Sequence, residues 1–489
     1  MENVDELTAI KAVQLIKEGS LSAEELIMKK FDRIRNIDGS LNCFISVLDE
    51  VAVEAARTVD KRVRMGEDVG RLAGIPIGVK DNICVEGVPC TCGSRMLENF
   101  KPLYNATVIE RIRGEGGIVL GKTNLDEFAM GSSTETSYFG PVRNPWDIGK
   151  VPGGSSGGSG AAVASGEVLL AFGSDTGGSI RCPASFCGVV GIKPTFGRVS
   201  RYGLVAYANS LEQIGPIGRT VEECALFFTV FSGHDPKDAT SLPSKREDYT
   251  RYLVDDVQGM RFGVPQELFG KGIDERVEKV VWDAVKVLEG LGATYEEISL
   301  SSLKYALPAY YILAMSEASS NLARFDGVRY GYNSGEQGKD WNEAFSKNRR
   351  EGFGAEVRRR IMLGAYALSA GYYEQYYLRA LKVRTLLKED FERTLQDFDA
   401  VLGPTMPFPA FNIGEKIDDP LALYLSDINT VTANIIGIPA ISVPCGFADG
   451  LPVGLQIMAG VGEEGKIIRV AFTYERNTNW HKKIPQIDF

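Results

Sequence analysis

One glycine- and serine-rich run at 151–194, VPGGSSGGSGAAVASGEVLLAFGSDTGGSIRCPASFCGVVGIKP, constrains this chain more than any other stretch. Eleven of the 39 residues at 153–191 are glycine, where 54 glycines in 489 residues would place about four. Glycine serves where backbone must approach something closely or adopt positive φ. Seven serines lie among them, at 155, 156, 159, 165, 174, 179 and 185. Such composition ordinarily marks a flexible linker. Here the glycines alternate with small apolar runs at 161–164 and 168–172 that read as a buried helix and a strand, and a linker buries nothing. The pattern predicts two Gly-rich loops presenting backbone N–H groups and serine hydroxyls to a common pocket.

A nucleophilic serine needs a base. The chain has only two histidines, His234 in an SGHDPKD turn and His481 near the C-terminus, and neither lies in a motif built around a site. That disfavours a Ser-His-Asp arrangement and leaves a desolvated lysine, which becomes basic once burial depresses its pKa. Lys80 closes the apolar run AGIPIGV at 73–79 and precedes Asp81-Asn82, so it is the candidate for burial.

The blocks GIPIGVKDN (74–82), GGSSGGSGAAVASG (153–166) and GSDTGGSIRCPASFCGVVGIKPT (173–195) resemble, in this order, the signature of the amidase family. The resemblance covers essentially the whole chain. It implies an α/β fold, a single mixed β-sheet covered by helices on both faces. It also implies a Ser–Ser–Lys triad with Ser179 as nucleophile, Ser155 as bridging serine after a cis peptide bond, and Lys80 as neutral base. Backbone N–H groups of Thr176, Gly177, Gly178 and Ser179 would form the oxyanion hole. The segment NLDEFAMGSSTETS (124–137) would line the substrate pocket near Met130 and Gly131. The chemistry is coherent: a hydroxyl attacks an amide only as its proton leaves, and a second serine can pass that proton to lysine. Asp175 and Arg181 flank the nucleophile turn, either as a supporting pair or as a plain surface ion pair.

Three later segments narrow the resemblance: AYYILAMSEASSNLARFDGVRYG (309–331), EGFGAEVRRRIMLGAYALSAGYY (351–373) and LYLSDINTVTANIIGIPAISVPCG (423–446). They are similar to the A-subunit branch of the family, the glutaminase subunits of tRNA-dependent amidotransferases. By that resemblance Tyr310, Arg360 and Asp427 would bind glutamine, with Arg359 the alternative to Arg360. The residue types suit the task, since arginine holds a carboxylate bidentately, and aspartate holds an ammonium. The sequence departs from the branch at Arg358, where lysine is common, and at Met315, where serine is common. The implied reaction is glutamine hydrolysis through a glutamyl ester on Ser179, releasing ammonia to convert Glu-tRNA(Gln) to Gln-tRNA(Gln). A partner B subunit would hold the tRNA and use ATP and Mg²⁺, and a small C subunit would complete a heterotrimer. No cofactor or metal is then expected on this chain. A free-standing amidase acting on a small amide is the alternative.

Composition sets outer bounds. Hydrophobic content of 44 % and charged content of 24 % are those of a globular protein. No run approaches 18 apolar residues and MENVDELTAI has no signal-peptide character, which predicts a cytoplasmic protein without a membrane anchor. Eight cysteines without a C-x-x-C pair read as reduced core thiols. A net charge of −10 disfavours a nucleic-acid surface. The octapeptide GGIVLGKT (116–123) fits a phosphate-loop pattern, but its variable positions read as strand instead of cradle.

Residues 1–65 read as an N-terminal helical segment and 66–489 as the amidase domain, with a largely helical insertion at about 300–395. Ser22-x-x-Glu25 is a capping box, and Asp38-Gly39 is expected to end its helix, with a second helix at 51–63. Strands are predicted at 117–121, 261–265 and 293–298, with a hairpin turning at Asp449-Gly450 and a solvated face at 336–350.

Overall fold

The computed structural model describes residues 7–270, 272–335 and 340–487. Eleven strands form one mixed sheet: β1 (Phe44–Val47), β2 (Pro76–Lys80), β3 (Ile118–Thr123), β4 (Leu170–Asp175), β5 (Val190–Lys193), β6 (Gln213–Gly218), β7 (Arg261–Pro265), β8 (Thr294–Ile298), β9 (Ala400–Pro404), β10 (Ala440–Ala448) and β11 (Leu451–Met458). Their spatial order is β1-β3-β2-β4-β6-β5-β10-β11-β9-β7-β8. The neighbours β3, β2 and β4 run parallel, as do β8, β7 and β9, while the pairings between these groups are antiparallel. Strands β2, β3, β4, β6 and β11 are buried at every residue. Burial on both faces explains why they read as unbroken apolar or glycine-rich runs rather than alternating ones. The β10–β11 hairpin turns at Asp449 (φ 50°) and Gly450 (φ 79°), the paired left-handed residues that a two-residue turn requires.

Three expectations at the N-terminal end are corrected. The helix Ala23–Leu41 runs through Asp38-Gly39 and stops at Asn42, which takes the left-handed conformation at φ 60°. Gly39 costs about 1 kcal/mol inside a helix, and burial of Ile34, Ile37 and Leu41 on the inner face outweighs it. The segment read as helical also supplies β1, which adds an antiparallel edge to β3. Only half of the Ser22/Glu25 capping box forms: the Ser22 hydroxyl accepts from Glu25 N–H, while the Glu25 carboxylate pairs with Lys29 and Asp60, from the helix Asp49–Arg64, caps the Ala23 and Glu24 N–H groups.

Between β8 and β9 the chain passes through helices Ala306–Leu322, Trp341–Gly352, Ala355–Ala367 and Tyr377–Asp397. The apolar faces of the first, third and fourth of these, with helix Val431–Ile436, enclose a second core beside the one under the sheet. The first four residues of the face predicted at 336–350 lie outside the described residues. Lys122, in the phosphate-loop look-alike, is inside β3 and pairs with Asp81 at 2.7 Å, both buried, so this stretch is strand and not cradle. The eight cysteines are buried free thiols. Among the described residues no helix is long and apolar enough to cross a membrane.

Candidate active site

Parallel neighbours β2 and β4 bring their carboxyl ends together, and in α/β sheets that edge is where sites form. Lys80 is the last residue of β2 and is wholly buried. Its Nζ lies 2.7 Å from Ser155 Oγ, 2.8 Å from Ser156 Oγ and 3.2 Å from the Ser174 carbonyl oxygen. Burial drives its pKa down to about 7, with the nearby Asp126 and Asp175 charges opposing the shift. The amine is therefore neutral in a large fraction of molecules at neutral pH.

The hydrogen bonds single out which hydroxyl can donate to that amine. Ser156 donates to the Ser174 carbonyl at 3.2 Å, and its oxygen accepts from Ser174 N–H at 3.3 Å. A neutral Lys80 donates its two N–H groups to Ser156 Oγ and the Ser174 carbonyl. Its lone pair then faces Ser155, the one hydroxyl of this set free to donate to it. Ser155 follows a cis Gly154–Ser155 peptide bond. Gly154 and Gly131 both press on Asp126: a Cβ on either would lie within 2.4 Å of its carboxylate. Phe128 and Ala129, just before Met130 and Gly131, are consecutive left-handed residues (φ 50° and 60°), a local strain that the sequence did not announce.

Ser179 sits in the turn between β4 and helix Arg181–Cys187, and its carbonyl accepts the Ser156 N–H at 3.1 Å, tying the two Gly-rich loops together. Its hydroxyl makes no hydrogen bond among the described residues, so the Ser155–Ser179 step of a relay is not formed in this state. The N–H groups of Thr176, Gly177 and Ser179 likewise have no partner among the described residues. Gly178 differs from expectation: its N–H donates to Asp175 Oδ1 at 2.8 Å and is not available to an oxyanion. Both glycines are sterically required. A Cβ on Gly177 would lie 2.3 Å from Tyr310 Oη, and one on Gly178 would lie 2.4 Å from Thr430 Oγ1 at a φ of 136°. Asp175 and Arg181 form a fully buried pair, not a surface one. Burial alone would raise the Asp175 carboxyl, but Arg181 holds it down at about 2. Arg181 also donates to the Thr430 carbonyl, Gln456 and Asn434, which braces the turn from behind.

Across from the serine, the second core supplies side chains. Arg360, on helix Ala355–Ala367, is 2 % exposed and directed inward, whereas Arg359 is on the outer side, its side chain 40 % exposed. Arg360 Nε donates to Glu356 at 2.7 Å and Nη1 to Tyr207 Oη at 2.7 Å. The rings of Tyr207, Tyr311 and Tyr424 surround the guanidinium at 5.8, 5.4 and 5.3 Å. Asp427 is buried and accepts from Ser132 Oγ at 2.8 Å and from Tyr311 Oη at 2.6 Å. Burial raises its pKa to about 6, with both hydrogen bonds pulling the other way. Tyr310 is buried with its hydroxyl against the nucleophile loop. A buried cation and a buried anion thus lie within electrostatic reach of each other, the pair an amino-acid head group requires.

Sequence reasoning missed Ser132, Ser156, Tyr207, Tyr311, Glu356 and Tyr424. Ser156, inside GGSSGG, and Ser132, directly after Met130-Gly131, carried a local signal. Tyr311, Glu356 and Tyr424 depend on which helix faces meet, and Tyr207 lies in the loop before β6.

The family model for Amidase matches residues 25–468. The chain is 57 % identical to the A subunit of glutamyl-tRNA(Gln) amidotransferase from Methanosarcina mazei, over 98 % of both chains. It is 55 % identical to the corresponding protein of Carboxydothermus hydrogenoformans, over 98 % of this chain and 99 % of the other. Among solved structures, the A subunit of glutamyl-tRNA(Gln) amidotransferase from Thermotoga maritima aligns with a TM-score of 0.85 at 44 % identity, covering 100 % of this chain and 99 % of the other. A peptide amidase from Stenotrophomonas maltophilia aligns at 0.84 with 29 % identity, over 99 % of each. On this similarity the chain belongs to the amidase family and, within it, to the A-subunit group of the glutamyl-tRNA(Gln) amidotransferases.

Proposed function

We propose that this chain is the glutaminase of a tRNA-dependent amidotransferase, with Ser179 as nucleophile, Ser155 as proton bridge and Lys80 as base. Glutamine docks with its α-carboxylate on Arg360, its α-ammonium on Asp427 and its side-chain carbonyl against the free N–H groups of Thr176, Gly177 and Ser179. Ser179 Oγ attacks the amide carbon while its proton passes to Ser155 and the Ser155 proton passes to Lys80. Charge gathers on the carbonyl oxygen, where each fixed donor is worth roughly 2.7–4 kcal/mol. The relay then returns a proton to the amide nitrogen, ammonia leaves, and a glutamyl ester remains on Ser179. Water, deprotonated through the same relay, hydrolyses that ester to glutamate and restores the serine. The observation that carries this reading is a buried lysine with a pKa lowered to about 7, its Nζ 2.7 Å from Ser155 Oγ.

The ammonia serves conversion of Glu-tRNA(Gln) to Gln-tRNA(Gln) in the cytoplasm. A partner B subunit holds the tRNA and uses ATP and Mg²⁺, and a C subunit completes the heterotrimer. Support comes from the near full-length similarity to amidotransferase A subunits and from a net charge of −10, which suits a chain that leaves tRNA to its partner. A free-standing small-molecule amidase would need no paired cation and anion opposite the serine.

The test is Ser179→Ala in the complex, supplied with glutamyl-tRNA(Gln) and ATP·Mg²⁺. Amidation from glutamine is expected to vanish and amidation from ammonium salt to persist. Persistent use of glutamine would overturn the nucleophile, and failure of ammonium in an assembled complex would overturn the division of labour.

A further inference from the structure

Tyr310 and Tyr311 are adjacent on helix Ala306–Leu322 and point to different tasks. Tyr310 packs against Gly177 in the nucleophile loop, while Tyr311 lies between the two charged poles of the pocket. Its hydroxyl donates to Asp427 Oδ2 at 2.6 Å, and its ring lies 5.4 Å from the Arg360 guanidinium. The same ring stacks on Tyr424 at 4.2 Å and 28°, and the Tyr424 hydroxyl donates to Glu356 Oε1 at 2.7 Å. Glu356 Oε1 in turn accepts from Arg360 Nε. The contacts close a ring: Asp427, Tyr311, Tyr424, Glu356, Arg360, and back to the Tyr311 face.

This ring leaves defined recognition edges. Arg360 uses Nε on Glu356 and one Nη1 donor on Tyr207, and Nη2 has no partner among the described residues, which leaves donors on the terminal nitrogens for a carboxylate. On Asp427 each oxygen already accepts one hydrogen bond and keeps acceptor capacity for an ammonium.

Building on the glutaminase reading above, we propose that Tyr311 and Tyr424 are positioning residues that brace the two poles separately. The Tyr311 hydroxyl keeps Asp427 an oriented anion, the Tyr424 hydroxyl orients Glu356 and through it Arg360, and their stacked rings fix the spacing between the poles. Substrate choice follows: the site selects amides that carry an ammonium and a carboxylate on one carbon. Neither tyrosine touches the reacting amide.

The two braces are separable by substrate. Glutaramate is glutamine without its amino group and reads the Arg360 pole, while 4-aminobutanamide lacks the carboxylate and reads the Asp427 pole. In the assembled full-length enzyme, Tyr311→Phe keeps the ring stack and removes one hydrogen bond to a charged group. It is expected to raise KM about 10-fold or more for glutamine and 4-aminobutanamide, leaving kcat and glutaramate hydrolysis near wild type. Tyr424→Phe is expected to do the reverse, affecting glutamine and glutaramate but sparing 4-aminobutanamide.

A pH profile adds a readout that mere structural damage would not move. Asp427 is faced by Arg360, Ser132, Tyr310, Tyr311, Asp175 and Cys182, and loss of the Tyr311 donor raises its pKa further. In wild type the acid limb of kcat/KM on both glutamine and glutaramate follows Lys80, near 7. In Tyr311→Phe the glutamine limb is expected to move to higher pH and steepen, while the glutaramate limb stays in place. Equal losses on all three amides, or no change on any, would overturn the proposal while leaving the glutaminase reading intact. Failure of the wild-type enzyme to hydrolyse glutamine would instead remove the reading beneath it.

Discussion

At the end of the proposed site that holds Ser179 the groups on offer are largely main chain: the N–H groups of Thr176, Gly177 and Ser179, held in a turn where a Cβ on Gly177 or Gly178 would collide with Tyr310 or Thr430. At the opposite end they are side chains, Arg360 and Asp427, held by Tyr207, Glu356, Tyr311, Tyr424 and Ser132. The first end comes chiefly from one contiguous stretch plus Lys80, and the second from segments scattered between 132 and 427. A main-chain site has few tolerated variants because glycine has no substitute at those distances and, for Gly178, at a φ of 136°. A side-chain site can be altered one contact at a time. On the proposed reading, the fold separates chemistry common to amide hydrolysis from recognition particular to one amide.

Loss of the base should strike the shared end hardest. Lys80→Ala is expected to cut turnover of glutamine and of simple amides alike by about 10²- to 10⁴-fold, the usual span for a general base, with the fold retained by circular dichroism. The wild-type profile carries the sign. Burial lowers the Lys80 pKa to about 7, so the neutral acceptor dominates above that pH and is lost as pH falls through it. Rates on both substrates should therefore rise through pH 7. If simple amides kept normal turnover in folded Lys80→Ala, the two ends would not share one catalyst.

Arg360→Ala tests the other side of the contrast. Removing a buried, hydrogen-bonded cation costs about 2–5 kcal/mol, and KM for glutamine should rise on the order of 10²-fold. An amide lacking the carboxylate should be hydrolysed nearly as before. A matching loss on both substrates, measured by steady-state kinetics, would reassign Arg360 to the support of the nucleophile loop.

The smallest effect is expected at Ser132→Ala. Asp427 would lose one of two donors and keep the other from Tyr311, at a cost of about 1.5–3 kcal/mol at most for a bond to a charged group. KM for glutamine should rise about tenfold with kcat unchanged, and a fall in kcat instead would place Ser132 at the chemical end.

Local rules made much of the shared end legible from sequence. Glycine density announced backbone used at close range, the apolar run before Lys80 announced a buried lysine, and Asp449-Gly450 marked the hairpin. Each is a property of neighbouring residues, and neighbouring residues are what a sequence displays. The same rules failed where a distant contact outweighed a local preference. Gly39 sits inside a helix because Ile34, Ile37 and Leu41 are buried, and 44–47 is a strand because β3 offers it an edge. The Gly178 N–H turns to Asp175, a choice fixed by how the turn closes over that carboxylate.

Arg359 and Arg360 show the limit most plainly. They have the same chemistry, adjacent positions and a shared partner in Glu356, so no local property of the sequence ranks them, and only the family resemblance favoured Arg360. One residue along a helix turns the side chain by about 100°, and that rotation places Arg360 among three tyrosine rings and Arg359 on the outer side. Tyr310 and Tyr311 divide by the same rotation, one toward the nucleophile and one toward Asp427. The amino-acid order determined which groups the chain owns and which backbone they ride on. Which of two identical neighbours enters the pocket was decided by helix packing in the second core, because burial is set by what lies across the interface and not by the residue itself.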